Sequence, residues 1–371
     1  MEAVFWGAFG LVLYVYAGYP LLLAVWARLA ARPRQSAGDH LLPVSVVMAA
    51  RNEAARLPGR IENLLALDYP AELLDIVVVS DGSTDGTARV LAPYTAAAPR
   101  PGRRAGPRVR LIETGPQGKA AALNAGVAAA RHETILFADA RQRFAPDALR
   151  RLVANFADPA VGAVSGELVL DCEAGASASS AGESVGAYWR YEKWLRAHES
   201  AIDSMLGATG AIYAMRRACW RPLPEGTILD DVLAPMRAVL AGWRVVFEPR
   251  ARAFDVTAPD VAAESRRKTR TLAGNYQVLA LEPSLLVPGR NHVWLQYVSH
   301  KLGRLAVPWA LLVLLVAGMM LAVSSTLYLV LTAVQLAFYG LAGYGAFLEH
   351  RSNRRAARSS MQRPERKAVN A

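Results

Sequence analysis

Forty-four consecutive residues, 305–348, contain no Asp, Glu, Lys or Arg. A helix crosses a hydrocarbon core with about 20 apolar residues, so this run is too long for one span and suits two. Ser324-Ser325-Thr326 is the expected turn between them. Residues 4–26 are likewise uncharged and carry Phe5, Trp6, Tyr14, Tyr16, Tyr19 and Trp26. A cleaved signal peptide would open on basic residues. Here Glu2 precedes the run and Arg28, Arg32 and Arg34 follow it, which predicts an uncleaved anchor with its N-terminus outside. Lys301 and Arg304 flank the first C-terminal span, and basic residues follow the second. By the positive-inside rule all three spans agree on one topology, with residues from about 28 to 304 and the C-terminus in the cytoplasm.

The net charge of +11 admits nucleic acid, anionic lipid or phosphate esters as partners. Its location decides. Arg351, Arg354, Arg355, Arg358, Arg363, Arg366 and Lys367 directly follow an apolar span, so membrane lipid is the better partner. No zinc-finger spacing or RNA-reading motif is present, and no nucleic-acid partner is expected. Cys172 and Cys219 are too few and too far apart for a disulfide framework or a metal cluster.

Between the spans, short β-branched runs alternate with helical patterns. Residues 44–49, 76–79, 109–112 and 134–138 read as buried strands, and residues 52–66 and 118–130 as helices. Such alternation predicts an α/β domain with a mostly parallel central sheet, flanked by one N-terminal and two C-terminal transmembrane helices. Ligands of such sheets bind at the carboxyl ends of the strands. Three polar clusters fall there: Ala50-Arg51-Asn52-Glu53, residues 81–87 (Asp-Gly-Ser-Thr-Asp-Gly-Thr), and Asp139-Ala140-Arg141. The same residue types also make turns and helix caps. The expected organisation is an anchor (1–30), a basic linker (31–42), the α/β domain (43–280), a segment that is either interfacial or an ordinary packed helix (281–304), two spans (305–348) and a basic tail (349–371).

The strand Val44-Ser45-Val46-Val47 with Arg51-Asn52-Glu53, then residues 81–87, then Gly118-Lys119 through Gly126, then Asp139, together resemble the family 2 glycosyltransferases. That family has the GT-A fold and includes cellulose, hyaluronan and poly-N-acetylglucosamine synthases. The resemblance covers about residues 43–277. It implies that Glu53 and Asp81 lie at the uridine of a UDP-sugar and Lys119 at its diphosphate, with Ala50 also in the donor site. It also implies that Asp139 opens the family's Asp-x-Asp element, which holds Mg or Mn against the diphosphate. Arg141 stands where the second Asp is expected. An arginine cannot ligate a metal, so either Asp139 holds the cation with other help, or Arg141 itself pairs with phosphate.

Further matches extend the resemblance. Gly207, Thr209 and Gly210 fall where the family's acceptor end is lined. Asp230-Asp231 match an acidic motif whose second carboxylate is the general base, which takes the acceptor hydroxyl's proton in an inverting transfer. Arg267 and Arg270 match a Gln/Arg-x-x-Arg-Trp element that would hold the departing diphosphate, with Thr271 in place of the Trp. Tyr191 and Trp194 could stack acceptor sugar rings, although spaced aromatics on a helix are more often core.

The resemblance thus implies an inverting, β-linking transferase in a bacterial inner membrane, acting on a polysaccharide or lipid-linked acceptor. Three spans make a thin tunnel, so polymer export would call on a second copy or an export partner. The alternatives are single transfer to a glycolipid, or a non-catalytic scaffold of an export complex, which the Arg at position 141 keeps open.

Overall fold

The computed structural model describes residues 1–95, 108–171, 180–256 and 261–361. Cys172, the Gly- and Pro-rich stretch 99–107 and the tail beyond residue 361 lie outside them. The chain divides into two compact units: residues 1–19, 260–266 and 302–371, and residues 20–259 with 267–301.

In chain order the elements begin with α1 (Glu2–Leu13) and α2 (Tyr19–Leu29), joined through a π-helical turn. Then come β1 (Val44–Ala50), α3 (Leu57–Leu65), β2 (Leu74–Asp81), α4 (Thr87–Thr95), β3 (Arg108–Thr114), α5 (Lys119–Ala129), β4 (Thr134–Ala138), β5 (Arg143–Phe144) and α6 (Ala148–Val153). The second half holds β6 (Val161–Asp171), α7 (Ser180–Ile202), β7 (Ile212–Arg216), α8 (Asp230–Leu240), β8 (Arg244–Val256), α9 (Val261–Leu281), α10 (Trp294–Gln296), α11 (Gly303–Ala322) and α12 (Thr326–Met361).

The eight strands form one sheet in the order β3-β2-β1-β4-β7-β6-β8-β5. The pairings β1–β2, β2–β3, β1–β4 and β6–β8 are parallel; β4–β7, β6–β7 and β5–β8 are antiparallel. The parallel first half follows the strand–helix alternation seen in the sequence. The second half is mixed, because β7 returns beside β4 in the opposite direction.

The alternation of β1 explains the two cores. Val44, Val46 and Met48 join Ile76, Val78 and Leu136 against α3 and α6. Val47 points the other way and joins Ile135, Phe137 and Tyr213 against α5 and α8. Side chains on a strand alternate between faces, so a sheet with helices on both sides is covered twice. On the second face α5 comes very close: a Cβ on Gly126 would lie 2.4 Å from Val47 Cγ1.

In the helical unit, Phe5 and Ala317 are buried with Tyr328. The Phe5 and Tyr328 rings meet edge-on at 5.1 Å, and Trp6 Nε1 donates to the Tyr328 hydroxyl at 3.2 Å. Gly318 brings the backbone close to Thr332 Oγ1. Small residues and polar pairs are the usual means of packing helices in lipid. Among the described residues, three helices are long and apolar enough to cross a membrane: Glu2–Leu29, Trp294–Ala322 and Thr326–Gly345. The second starts before the charge-free run, because α10, a π-helical turn (Tyr297–Leu302) and α11 are continuous. Residues 281–304 therefore hold a 3-10 turn (Pro283–Leu286) and the start of this helix.

Candidate active site

Helix α5 starts at the carboxyl ends of the central strands, and its first residue is Lys119. Gly118 caps it with φ 92°, a conformation an L side chain resists. Asp81, the last residue of β2, fixes this start: its carboxylate accepts the N–H of Gln117 at 2.7 Å and of Gly118 at 3.0 Å. Arg51 approaches Asp81 at 3.9 Å. Asp81 is buried, so in this structure it organises the strand tips from below.

The rest of the 81–87 segment is tied to the loop after β1. Asn52, with φ 55°, accepts the Thr84 N–H on its side-chain oxygen and donates its own N–H to Ser83 Oγ. Asp85 accepts the Ala54 N–H and caps α4 through Thr87. The helix expected from residue 52 consequently begins at Leu57, since residues 52–54 are occupied in holding this loop. Glu53 pairs with Arg56 at 2.7 Å. Ala50 ends β1, beside Ser80 of β2.

Lys119 Nζ lies 3.3 Å from Asp139 Oδ1 and 3.3 Å from Asp230 Oδ1. One ammonium therefore joins the tip of β4 to the first residue of α8. Burial alone would lower its pKa; Asp230, then Asp139 and Asp231, outweigh burial and hold it above its ordinary range. Burial pushes Asp230 up to about 6, with Lys119 opposing and the charges of Asp231 and Asp139 adding. Two carboxylates opening a helix also suit the helix dipole.

Asp231 is held twice by one loop. Gly210 N–H donates to its Oδ2 at 3.0 Å, and Ala208 N–H donates to its backbone carbonyl at 2.7 Å. That carbonyl is free of the helix ladder because residue 235, four places on, is a proline and has no N–H. A Cβ on Gly210 would stand 2.7 Å from Asp231 Oδ2, so only glycine lets the backbone approach this closely. Thr209, between these donors, gives its N–H to Ser165 Oγ and accepts from Arg196. Gly207 makes the turn at φ 114°.

Arg141 pairs with Asp255 at 2.9 Å, and Gln142 Nε2 donates to the same carboxylate oxygen at 3.0 Å. Trp194 lies against the His198 ring at 3.9 Å, and Tyr191 sits one turn away on the same helix. Arg267 and Arg270 are exposed on α9, seven and four residues before Gly274, which packs on Leu229 just ahead of Asp230. The structure thus gathers Lys119, Asp139, Asp230 and Asp231, with Asp81 beneath and Gly207, Thr209 and Gly210 alongside. Glu53 and Arg141 are engaged with Arg56 and Asp255, and no contact places Arg267 and Arg270, exposed on α9, at this centre.

Several residues escaped the sequence reading. Arg60 is buried on the apolar face of α3. It donates Nε to the Asp139 carbonyl at 3.1 Å and lies over the Phe144 ring at 4.0 Å. Burial brings its pKa down to about 9 against the pull of Asp139. A cation among Leu57, Ile61 and Leu64 was the available signal. Tyr213 stacks on Phe137 at 4.5 Å, and burial raises its hydroxyl well above the ordinary tyrosine range. Asp255 is a buried carboxylate near the end of β8.

Among the described residues no three His, Cys, Asp or Glu side chains are grouped to hold a metal. Asp139, about a third exposed and facing Lys119, fits the other mode, in which magnesium takes one or two carboxylates and completes its shell from substrate phosphate and water.

The family model described as Glycosyl transferase family 2 matches residues 45–210, and that described as Glycosyl transferase family group 2 matches residues 134–342. A β-monoglucosyldiacylglycerol synthase of a Nostoc species is 28% identical over 290 residues, covering 75% of this chain and 58% of that protein. A poly-β-1,6-N-acetyl-D-glucosamine synthase of Staphylococcus aureus is 22% identical over 242 residues, covering 65% and 56%. The chain thus spans about half the length of the curated relatives it matches. Among solved structures, the mannosyltransferase PcManGT from Pyrobaculum calidifontis, in complex with GDP-Man and Mn2+, superposes with a TM-score of 0.69 at 23% identity. It covers 93% of this chain and 94% of that one, and the likeness is one of fold.

Proposed function

Because the chain belongs to the glycosyl transferase family 2 group, we propose that it performs inverting, β-linking sugar transfer from a UDP-sugar to an acceptor held at the cytoplasmic membrane face. The observation that carries this reading is Lys119, shared between Asp139 and Asp230 at 3.3 Å each, with Asp231 clamped beside them.

In this scheme the loops after β1 and β2, through Ala50, Glu53 and Asp81, receive the uridine. Lys119 binds the diphosphate, and Arg267 and Arg270 close on it from α9. A cation developed against leaving phosphate stabilises the transition state more than the ground state. Asp231 accepts the acceptor hydroxyl's proton as the new glycosidic bond forms and UDP departs. Gly210 and Ala208 hold the carboxylate in place, and Asp230 keeps Lys119 between the strand tip and α8. Asp139 would hold a Mg or Mn ion, which when bound neutralises charge on the diphosphate. Arg141, paired with Asp255, positions the turn that follows Asp139.

Two features favour a single addition to a lipid acceptor over a polymer: Thr271 replaces the family's Trp, and the glucosyldiacylglycerol synthases are among the relatives. The test is UDP release from UDP-glucose, UDP-N-acetylglucosamine and UDP-glucuronate by the purified full chain, with diacylglycerol in mixed micelles and product length resolved. One added sugar supports the lipid reading; a ladder replaces it with the polymer. Undiminished transfer in Asp231→Asn removes the base, and absence of donor turnover in every arm leaves the scaffold. Undiminished turnover in strong chelator removes the cation.

A further inference from the structure

We propose that Arg196, on α7, is a positioning residue for the proton-transfer step, acting on Asp231 through Thr209; this rests on Asp231 being the base. Asp231 depends on the loop 207–210 at two points, Gly210 N–H on its carboxylate and Ala208 N–H on its carbonyl. Thr209 lies between those donors, so whatever fixes Thr209 fixes both. Its backbone N–H is taken by Ser165 Oγ of β6 at 2.9 Å. Its hydroxyl accepts from Arg196 Nη1 at 3.0 Å.

Arg196 is in turn oriented from behind. Its Nε faces Glu192 Oε1 at 3.3 Å, one turn earlier on the same helix. The other oxygen of Glu192 lies 3.5 Å from His300 Nε2, and His300 Nδ1 lies 2.7 Å from Glu199 Oε1. Glu192, Glu199 and His300 are all buried. A guanidinium fork held at one edge by a buried carboxylate has little freedom at the other, so the Thr209 hydroxyl meets a fixed donor. The string His300, Glu192, Arg196, Thr209 thereby runs from the turn Tyr297–Leu302 to the loop that clamps the base. Arg196 touches neither reacting group in this scheme. Its effect is to hold a carboxylate within the few tenths of an ångström that proton transfer tolerates.

The experiment measures kcat for UDP release, its pH profile and UDP affinity in Thr209→Val, Thr209→Ser, Arg196→Lys, the Thr209→Val/Arg196→Lys pair and Asp231→Asn, all in the full chain. Thr209→Val is expected to lower kcat about 10-fold while the acid limb of the pH profile stays in place, with UDP affinity within about two-fold. Thr209→Ser, which keeps the hydroxyl, restores turnover. The double variant is expected to be no slower than the slower single, since both break one contact. Wild-type kcat in Thr209→Val, multiplicative losses in the pair, or UDP affinity falling in step with kcat would overturn the proposal. If Asp231→Asn itself turns over normally, the base assignment has failed. If Asp231→Asn is inactive while the Thr209 and Arg196 variants behave as wild type, the positioning role alone has failed.

Discussion

Gly210→Ala tests the clamp on Asp231 most directly. The added Cβ would stand 2.7 Å from Asp231 Oδ2, where ordinary contact begins at 3.4 Å, so the carboxylate must retreat by about 0.7 Å. Displacements on the order of 1 Å at a reacting group cost about 100-fold in rate. Independently, the 3.0 Å hydrogen bond from Gly210 N–H to that carboxylate is of the charged kind, worth about 1.5–3 kcal/mol. A tenfold rate loss corresponds to about 1.4 kcal/mol, so both routes give a fall in kcat between about 10- and 100-fold. Donor binding is built from other elements, and the UDP affinity measured by calorimetry should stay within about two-fold. The assay is UDP release under saturating donor, with thermal melting as a check on folding. A Gly210→Ala enzyme whose kcat lies within two-fold of wild type would refute the reasoning, because either the carboxylate does not need that position or it is not the base.

The pH response separates activity from stability. Asp230 must be ionised to hold Lys119, so turnover should rise as pH passes through about 6. Its folded pKa is raised above the ordinary value of 3.8, so the folded state binds the proton longer. Its contribution to stability is therefore present at acid pH and lost as pH rises through about 6; melting curves of Asp230→Asn should lack that slope. Lys119→Met should lower transfer at least 100-fold and weaken UDP binding, since it removes the cation aimed at the diphosphate; near-normal UDP affinity would count against its assigned role. Gly126→Ala should cost about 1–3 kcal/mol by overpacking, because its Cβ would lie 2.4 Å from Val47 Cγ1. A drop of several degrees in melting temperature, relieved by Val47→Ala, is the expected result.

The helices long and apolar enough to span a membrane, the strand–helix alternation and the family were legible because each is written in local pattern: charge-free runs of spanning length, β-branched runs, and polar clusters placed just after strands. Lys119, Asp139 and Asp231 were named through the family resemblance rather than through local pattern. The sequence carried no trace of the partners these residues would have. That Arg141 faces Asp255 depends on β8 returning beside β5. That Arg60 supports Asp139 depends on α3 covering one face of the sheet. Residues 119 and 230 meet only because strand tips and the start of α8 converge, and Asp231 is clamped only because the loop before β7 comes to rest on α8.

What the sequence alone determined is local: the first four strands of the sheet, the runs long and apolar enough to cross a membrane, and a proline at 235 that leaves the carbonyl of Asp231 without its helical partner. What tertiary structure decided is which group takes that vacancy, the Ala208 N–H. Local steric and hydrophobic preferences act between near neighbours in the chain. The partners of a buried charge are chosen by packing elements far apart in sequence, where the cost of leaving a polar group unpaired is met by whichever donor the fold brings close.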